Sequence, residues 1–333
     1  MNLRKNITLS KYLPEVLPSL LKNRTTAVYL SVVAFILLSG AVVPTVFMPS
    51  NVIGVLRQAG ILGVVALGQF VVIMGGAWRR DVGIDLSVGS TLFMITIAFG
   101  HIVKWVHSDI LTILICLLIG AAVGLINGLI ITKGNVSPFI ATLAVSLAEQ
   151  GITWTLSITP VEIPEYLLYL GSGRIGLLPI AFLFFLVLFA IFWVIMKYTT
   201  YGIRIYAKSS NPQGARLLGV NLALYTASTY VISGVMAALG GLLYLGFLVH
   251  PAMRFIDIFT FDSIAAVLLG GTEFVGGIGS VLGVLPGVVF MRFIYYFVLF
   301  FRVPEATRRI MQGLIIFAVA AVFVLQSRRM RAS

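Results

Sequence analysis

Long apolar runs separated by short polar stretches organise this chain. A helix rises about 1.5 Å per residue and the hydrocarbon core of a bilayer is about 30 Å thick, so a span needs about 20 mostly apolar residues. Ten segments meet or approach that length: Ala27 to Phe47, Val52 to Gly75, Leu86 to Trp105, Ile110 to Ile131, Val136 to Ile158, Leu178 to Met196, Leu222 to Val249, Phe259 to Leu269, Gly279 to Phe300 and Arg309 to Leu325. The eighth, which precedes Gly270-Gly271, is short enough to read as a broken or half-spanning helix. The pattern predicts an all-α integral membrane protein of about ten transmembrane helices, one of them short or broken.

Composition agrees: 59% of the 333 residues are hydrophobic and only 10% charged, against about 25% charged in soluble domains. The charges then orient the spans, because cytoplasmic loops carry an excess of Lys and Arg. With the N-terminus inside, fifteen of the 23 basic residues fall on the inner side, Lys133, Lys197, Arg204, Lys208 and Arg216 among them. Both termini are therefore expected in the cytoplasm. The net charge of +12 reads as this topology signal, helped by attraction to anionic lipid, and not as nucleic-acid binding. The first apolar run is too long for a signal-peptide core and reads as a retained helix. Residues 1–24 are expected as an amphipathic segment on the inner membrane face, residues 25–327 as the transmembrane domain, and residues 328–333 as a basic tail.

Little in the chain suggests catalysis. No Gly-Lys pair occurs, so a phosphate loop with its lysine is absent. The glycine-rich run from Gly276 to Gly283 lies among apolar helices and not after a strand, and reads as helix-packing glycine. Cys116 is the single cysteine and reads as a small buried residue. The eleven acidic residues are scattered and no His pair has metal-ligand spacing. A non-catalytic protein with no metal and no cofactor of its own is expected.

The polar island from Lys197 to Asn221 breaks this apolar pattern, with four basic residues and no acidic one. Within it Asn211, Pro212, Gln213, Gly214, Ala215, Arg216, Leu217, Leu218 and Gly219 read as a complete short helix. Asn211 is the N-cap, Pro212 the first helical residue and Gly219 the left-handed stop. So short a helix is marginal in water by itself and needs a partner or the membrane domain to hold it. The island is either an ordinary basic loop or a docking surface for a separate motor.

Polar residues inside spans are costly in lipid and mark candidate solute-pathway positions. Asp85 and Ser87 open the third span, where they either cap the helix or face a pathway. Glu149 and Gln150 lie far along the fifth. Gln69, Asn127, Thr142 and Ser146 are uncharged and serve equally well as interhelical hydrogen-bonding groups. Asp262 and Thr272 flank the short eighth segment, where a broken helix exposes backbone groups. The tryptophans, including Trp105 and Trp154, are either interface anchors or stacking faces for a solute. No pair of opposite charges is evident within the spans, which speaks against a proton relay and for a neutral polar solute.

Four stretches carry a family resemblance: Gly83-Ile84-Asp85-Leu86-Ser87-Val88-Gly89-Ser90; Asn127-Gly128 with Lys133 to Leu143; Gly202 to Asn221; and Ala265 to Thr272 with the glycines that follow. Together they resemble the permease subunits of bacterial ABC importers for ribose, xylose, arabinose and related sugars, a branch that includes autoinducer-2 and nucleoside permeases and is related to branched-chain amino acid permeases. The resemblance implies an inner-membrane permease that pairs with a second permease subunit, identical or similar. Two cytoplasmic ATPase subunits would carry ATP and Mg, and a periplasmic solute-binding protein would deliver the solute. It also implies that Pro212 to Leu218 is the coupling helix that fits the ATPase. An ATP-independent secondary transporter or channel is the alternative. The chain departs from the family pattern twice: Lys208-Ser209-Ser210-Asn211-Pro212-Gln213 stands where glycines and a Glu are usual, and Ala77 to Val82 is inserted before Gly83.

Overall fold

The computed structural model describes residues 24–78, 81–156, 163–248, 256–274, 276–304 and several positions from 306 to 317. Twelve α-helices, one 3-10 turn and a hairpin of two two-residue strands are the named elements among those residues. They are α1 (Arg24–Val42), α2 (Pro49–Gly75), α3 (Val88–Val106), α4 (Asp109–Thr132), α5 (Pro138–Thr155) and α6 (Glu165–Ser172), then the hairpin β1 (Arg174–Ile175) and β2 (Leu178–Pro179). After it come α7 (Ile180–Tyr198), α8 (Thr200–Ser210), α9 (Pro212–Leu217), α10 (Leu222–Leu248), α11 (Ile256–Leu269) and α12 (Val281–Leu299). Six of them (α2, α3, α4, α7, α10 and α12) are long and apolar enough to cross a membrane.

The expected count of about ten spans is therefore not reached among the described residues. The first predicted span ends early, as α1 stops at Val42 and a 3-10 turn runs from Pro44 to Phe47. The fifth becomes α5, 18 residues carrying Glu149 and Gln150. The eighth is short as predicted: α11 has 14 residues, about 21 Å of helical rise against the roughly 30 Å core. Most of the tenth span, the N-terminal amphipathic segment and the basic tail lie outside the described residues. Two helices were not anticipated, α6 and α8. The second fills the first half of the island.

Helix α2 is buried along most of its length and, with α10, forms the middle of the bundle. Small residues let α10 lie against α4: a Cβ on Gly124 would collide with the Tyr230 carbonyl, and one on Gly234 with the Gly120 carbonyl. In lipid, where no hydrophobic force drives helices together, such backbone contact replaces it with van der Waals packing. Of the glycine-rich run, Gly283 packs in this way, against the backbone of Gly270 between α11 and α12. Gly276 and Gly277 do a different job, turning the chain with φ of +81° each.

Several hydrogen bonds gather the same ends of these helices. Trp78 Nε1 donates to Asn135 Oδ1 at 3.3 Å, Gly277 N to Ser209 Oγ at 2.6 Å and Tyr206 OH to the Gly279 carbonyl at 3.1 Å. The C-termini of α2, α4 and α7, the helices α8 and α9, and the start of α12 thus share one end of the bundle, which also holds Lys133, Lys197, Arg204 and Arg216. At the other end α6 is tied to α10 through Ser172 Oγ and the Gly246 carbonyl, 3.0 Å apart.

Candidate solute pathway and motor-docking helix

After α2 ends at Gly75, Trp78 and Asp81 form an isolated bridge, and residues 83–87 lie buried in the bundle without regular structure before α3 begins at Val88. This break places backbone groups deep among helices, where each needs a partner. With its amide oriented to satisfy both groups, Gln69 donates to the Asp85 carbonyl at 3.1 Å and accepts the Asp85 N–H at 3.3 Å. Gln69 lies about 9 Å inside the end of α2 by helical rise. Leu86 N donates to Thr142 Oγ1 at 3.1 Å, Ser87 N to Asp85 Oδ1 at 2.9 Å and Gly89 N to Thr260 Oγ1 at 3.1 Å. Asp85 thus accepts the N–H of Ser87, the residue before α3, as a local turn, and the side chain of the N-cap Ser87 does not cap the helix itself.

The side chains extend this into a network. Ser87 Oγ donates to Asp85 Oδ1 at 2.6 Å and accepts from Asn127 Nδ2 at 2.8 Å. One turn on, each oxygen of Glu149 accepts a hydroxyl: Ser90 Oγ at 2.7 Å and Thr91 Oγ1 at 2.8 Å. Ser90 Oγ also lies 2.8 Å from the Ser87 carbonyl and 3.0 Å from Ser146 Oγ, so its single proton serves one of three oxygens at a time. Gln150 Nε2 reaches Ser146 Oγ at 3.3 Å. Glu149 is only 3% exposed.

Eight of the ten sequence-predicted pathway residues are therefore brought together: Gln69, Asp85, Ser87, Asn127, Thr142, Ser146, Glu149 and Gln150. They come from α2, the break, α4 and α5 and converge on the first turn of α3. Asp262 and Thr272 lie elsewhere. Asp262 Oδ2 meets Arg292 Nη2 of α12 at 3.0 Å, both side chains buried, and the guanidinium lies 5.2 Å from the Phe259 ring centroid. This corrects the expectation of no paired charge within the spans: the partners stand on different helices, so no sequence spacing reveals them. Thr272 is buried beside Gly279. Trp105 and Trp154 are exposed at their helix ends, where interface anchors sit. Among the described residues no group of His, Cys, Asp and Glu is arranged to hold a metal.

At the basic end, α9 has the predicted caps. Asn211 Oδ1 accepts from Gly214 N at 2.9 Å, Pro212 is the first helical residue, and Gly219 has φ of +80°. The Val220 N–H closes the turn on the Ala215 carbonyl at 3.0 Å, as in a left-handed C-terminal stop. The helix ends at Leu217, one residue before the expected Leu218. Ala215 is buried against the rest of the fold, while Leu217 is 89% and Leu218 84% exposed, next to exposed Arg216. Two large apolar side chains at the tip of a charged hairpin form an uncovered surface.

The sequence profile of the family described as the branched-chain amino acid transport system / permease component matches residues 51–320. The chain belongs to this permease family. The permease is 32% identical over 296 residues to the galactose/methyl galactoside import permease protein of Escherichia coli, covering 83% of this chain and 87% of the relative. It is 30% identical over 272 residues to the ribose import permease protein of Haemophilus influenzae, covering 80% and 82%, and 33% identical over 251 residues to that of Bacillus subtilis, covering 74% and 76%. No solved structure matches. These relatives fall in the branch that the four motifs indicated, and with six membrane-length helices they make the permease a multi-pass membrane protein.

Sequence reasoning missed Ser90, Thr91, Thr260, Lys208 and Arg292. Ser90 and Thr91 had a readable signal, since they stand on the α3 turn that follows Ser87. Arg292 lies between apolar residues of a predicted span, and its charge alone marks it as costly without a partner.

Proposed function

We propose that this permease is the membrane subunit of an ATP-driven importer of the bacterial inner membrane for a sugar or sugar-like solute. It would be coupled through α9 to a separate ATPase, fed by a periplasmic binding protein, and paired with a second permease subunit. The observation that carries the reading is the finished, outward-facing α9 with bare Leu217 and Leu218. A helix this short holds its shape through its own caps and its anchors to α8 and α10, and its apolar tip gains by burial in a partner. Related proteins named as ribose and galactose importers support the cargo class. The hydroxyls, amides and carboxylates at the α3 break are buried and bonded to one another here, and opening of the break would release them to hydrogen-bond a polyhydroxylated solute. ATP and Mg would reside on the ATPase. The basic end would face the cytoplasm, as the positive-inside rule directs.

Co-purification of the detergent-solubilised permease with its ATPase subunit tests this. Wild type is expected to hold the ATPase. A variant carrying Arg216→Glu and Gly219→Pro, and a second carrying Leu217→Asp and Leu218→Asp, should lose it while still inserting in the membrane. Uptake of ribose or galactose without ATP, with no ATPase bound by wild type, would favour a secondary transporter or channel.

A further inference from the structure

Lys208 is a lysine where a membrane-docked helix would be expected to bury an apolar side chain. It sits on the inner face of α8 with Gly202 and Ile205, one i+3 step apart each, and is 4% exposed. Its Nζ reaches past the end of α2 and donates to the carbonyls of Gly75 and Ala77, the latter at 2.9 Å. The carbonyl between them, that of Gly76, accepts from Tyr230 OH of α10 at 3.2 Å. The last carbonyls of a helix have no partner within it. Here α8 and α10 supply them.

The neighbouring residue makes a second anchor: Ser209 Oγ accepts the N–H of Gly277, in the turn between α11 and α12. Beyond Ala77 the chain forms an isolated bridge between Trp78 and Asp81 and is buried again from Gly83. Lys208 braces the start of this stretch, and α9 begins four residues after Lys208.

We propose that Lys208, assisted by Ser209, is the positioning residue that transmits movement of α9 to the end of α2 and so to the Asp85 break. This rests on the reading of α9 as the ATPase-docking helix. Lys208 to Ser210 lie within the last helical turn of α8, and a rigid turn passes displacement of Asn211 directly to the two carbonyls and to Gly277. Through Gly75 the displacement reaches Gln69, which holds both backbone groups of Asp85. Burial pushes the Lys208 ammonium down to about 7, which agrees with a side chain enclosed on all sides. Either protonation state keeps the two N–H donors that two carbonyls require.

The test uses the full chain in nanodiscs, first alone and then with its ATPase and binding protein. Alone, Lys208→Met should speed amide hydrogen exchange in both 74–86 and 203–211, and Ser209→Ala in 203–211 and 276–280, with Lys208→Arg close to wild type. With partners, Lys208→Met should still bind the ATPase and hydrolyse ATP, but move about tenfold less radiolabelled ribose or galactose per ATP, the size of a typical coupling energy. Unchanged exchange in 74–86, or uptake per ATP equal to wild type, overturns the proposal. Should wild type bind no ATPase, the function reading fails, and the exchange experiment on the isolated chain still decides whether Lys208 ties α8 to α2.

Discussion

Glu149 shows how much a single polar side chain can be asked to do in a membrane bundle. Both of its oxygens are occupied by hydroxyls of the α3 first turn, so removing it takes the acceptor from Thr91 in a dry interior, while Ser90 Oγ keeps the Ser87 carbonyl 2.8 Å away. Glu149→Ala is expected to cost about 1–3 kcal/mol for each group left unpaired, read as a lower thermal unfolding midpoint in detergent, with Ser90→Ala milder. Asp262 and Arg292 obey the same logic with full charges. Arg292→Leu should destabilise by about 3–5 kcal/mol, and adding Asp262→Asn should recover part of the loss, because a neutral amide costs less to bury than a carboxylate that has lost its ion-pair partner on α12. A double variant no better than Arg292→Leu would refute that account. Lys208 predicts a pH dependence. Between about 7, its folded value, and 10.5, its ordinary one, the unfolded chain carries a proton that the folded chain has lost. Stability therefore rises with pH across that window, and the lysine is most costly below it. Wild type should gain stability relative to Lys208→Met from pH 7 to pH 10 in thermal melts. A constant difference would show that the lysine is accessible to water.

Helices here depend on what happens at their ends and contact faces. Gly283 lets α12 meet the backbone of Gly270, so Gly283→Ala should force the two helices apart and cost about 1–3 kcal/mol, as overpacking does. Gly176, where an added methyl has open space, is a poor control because its φ is +61°; Gly151, in α5 with nothing nearby, is the better one, and Gly151→Ala should be neutral or stabilising. The cap of α9 was legible in advance because Asn, Pro and Gly each have one preferred place in a short helix. Helix α8 was not, because its inner face carries a lysine in place of the aliphatic residue that periodicity looks for. The half-length α11 was visible as a short apolar run before two glycines.

For the molecule as a whole, three parts stand in mechanical series: the exposed α9, the Lys208 and Ser209 anchors, and the break that carries Asp85. A motor pulling on α9 would act on the break through the α2 terminus and on the Asp262–Arg292 pair through the turn before α12. Loss of α9 docking should thus abolish both ATPase binding and uptake, whereas loss of the Lys208 anchor should cut uptake per ATP about tenfold and leave ATPase binding intact. That dissociation is the transport phenotype by which the two elements can be told apart.

The membrane class, the helical architecture, the caps of α9 and the family motifs were written in the sequence because each is a local property: run length, residue type at a terminus, spacing within one segment. Most of the polar pathway candidates could be named there too, since an acid or amide within an apolar run is conspicuous wherever it lies. What they bind could not. The gathering of Gln69, Asp85, Asn127, Thr142 and Glu149 around one helix start, the pairing of Asp262 with Arg292, and the reach of Lys208 across more than 130 positions to Gly75 depend on which helices lie side by side. Hydrogen-bond demand in a dry interior fixes that such partners must exist, but only the packing of the bundle chooses them.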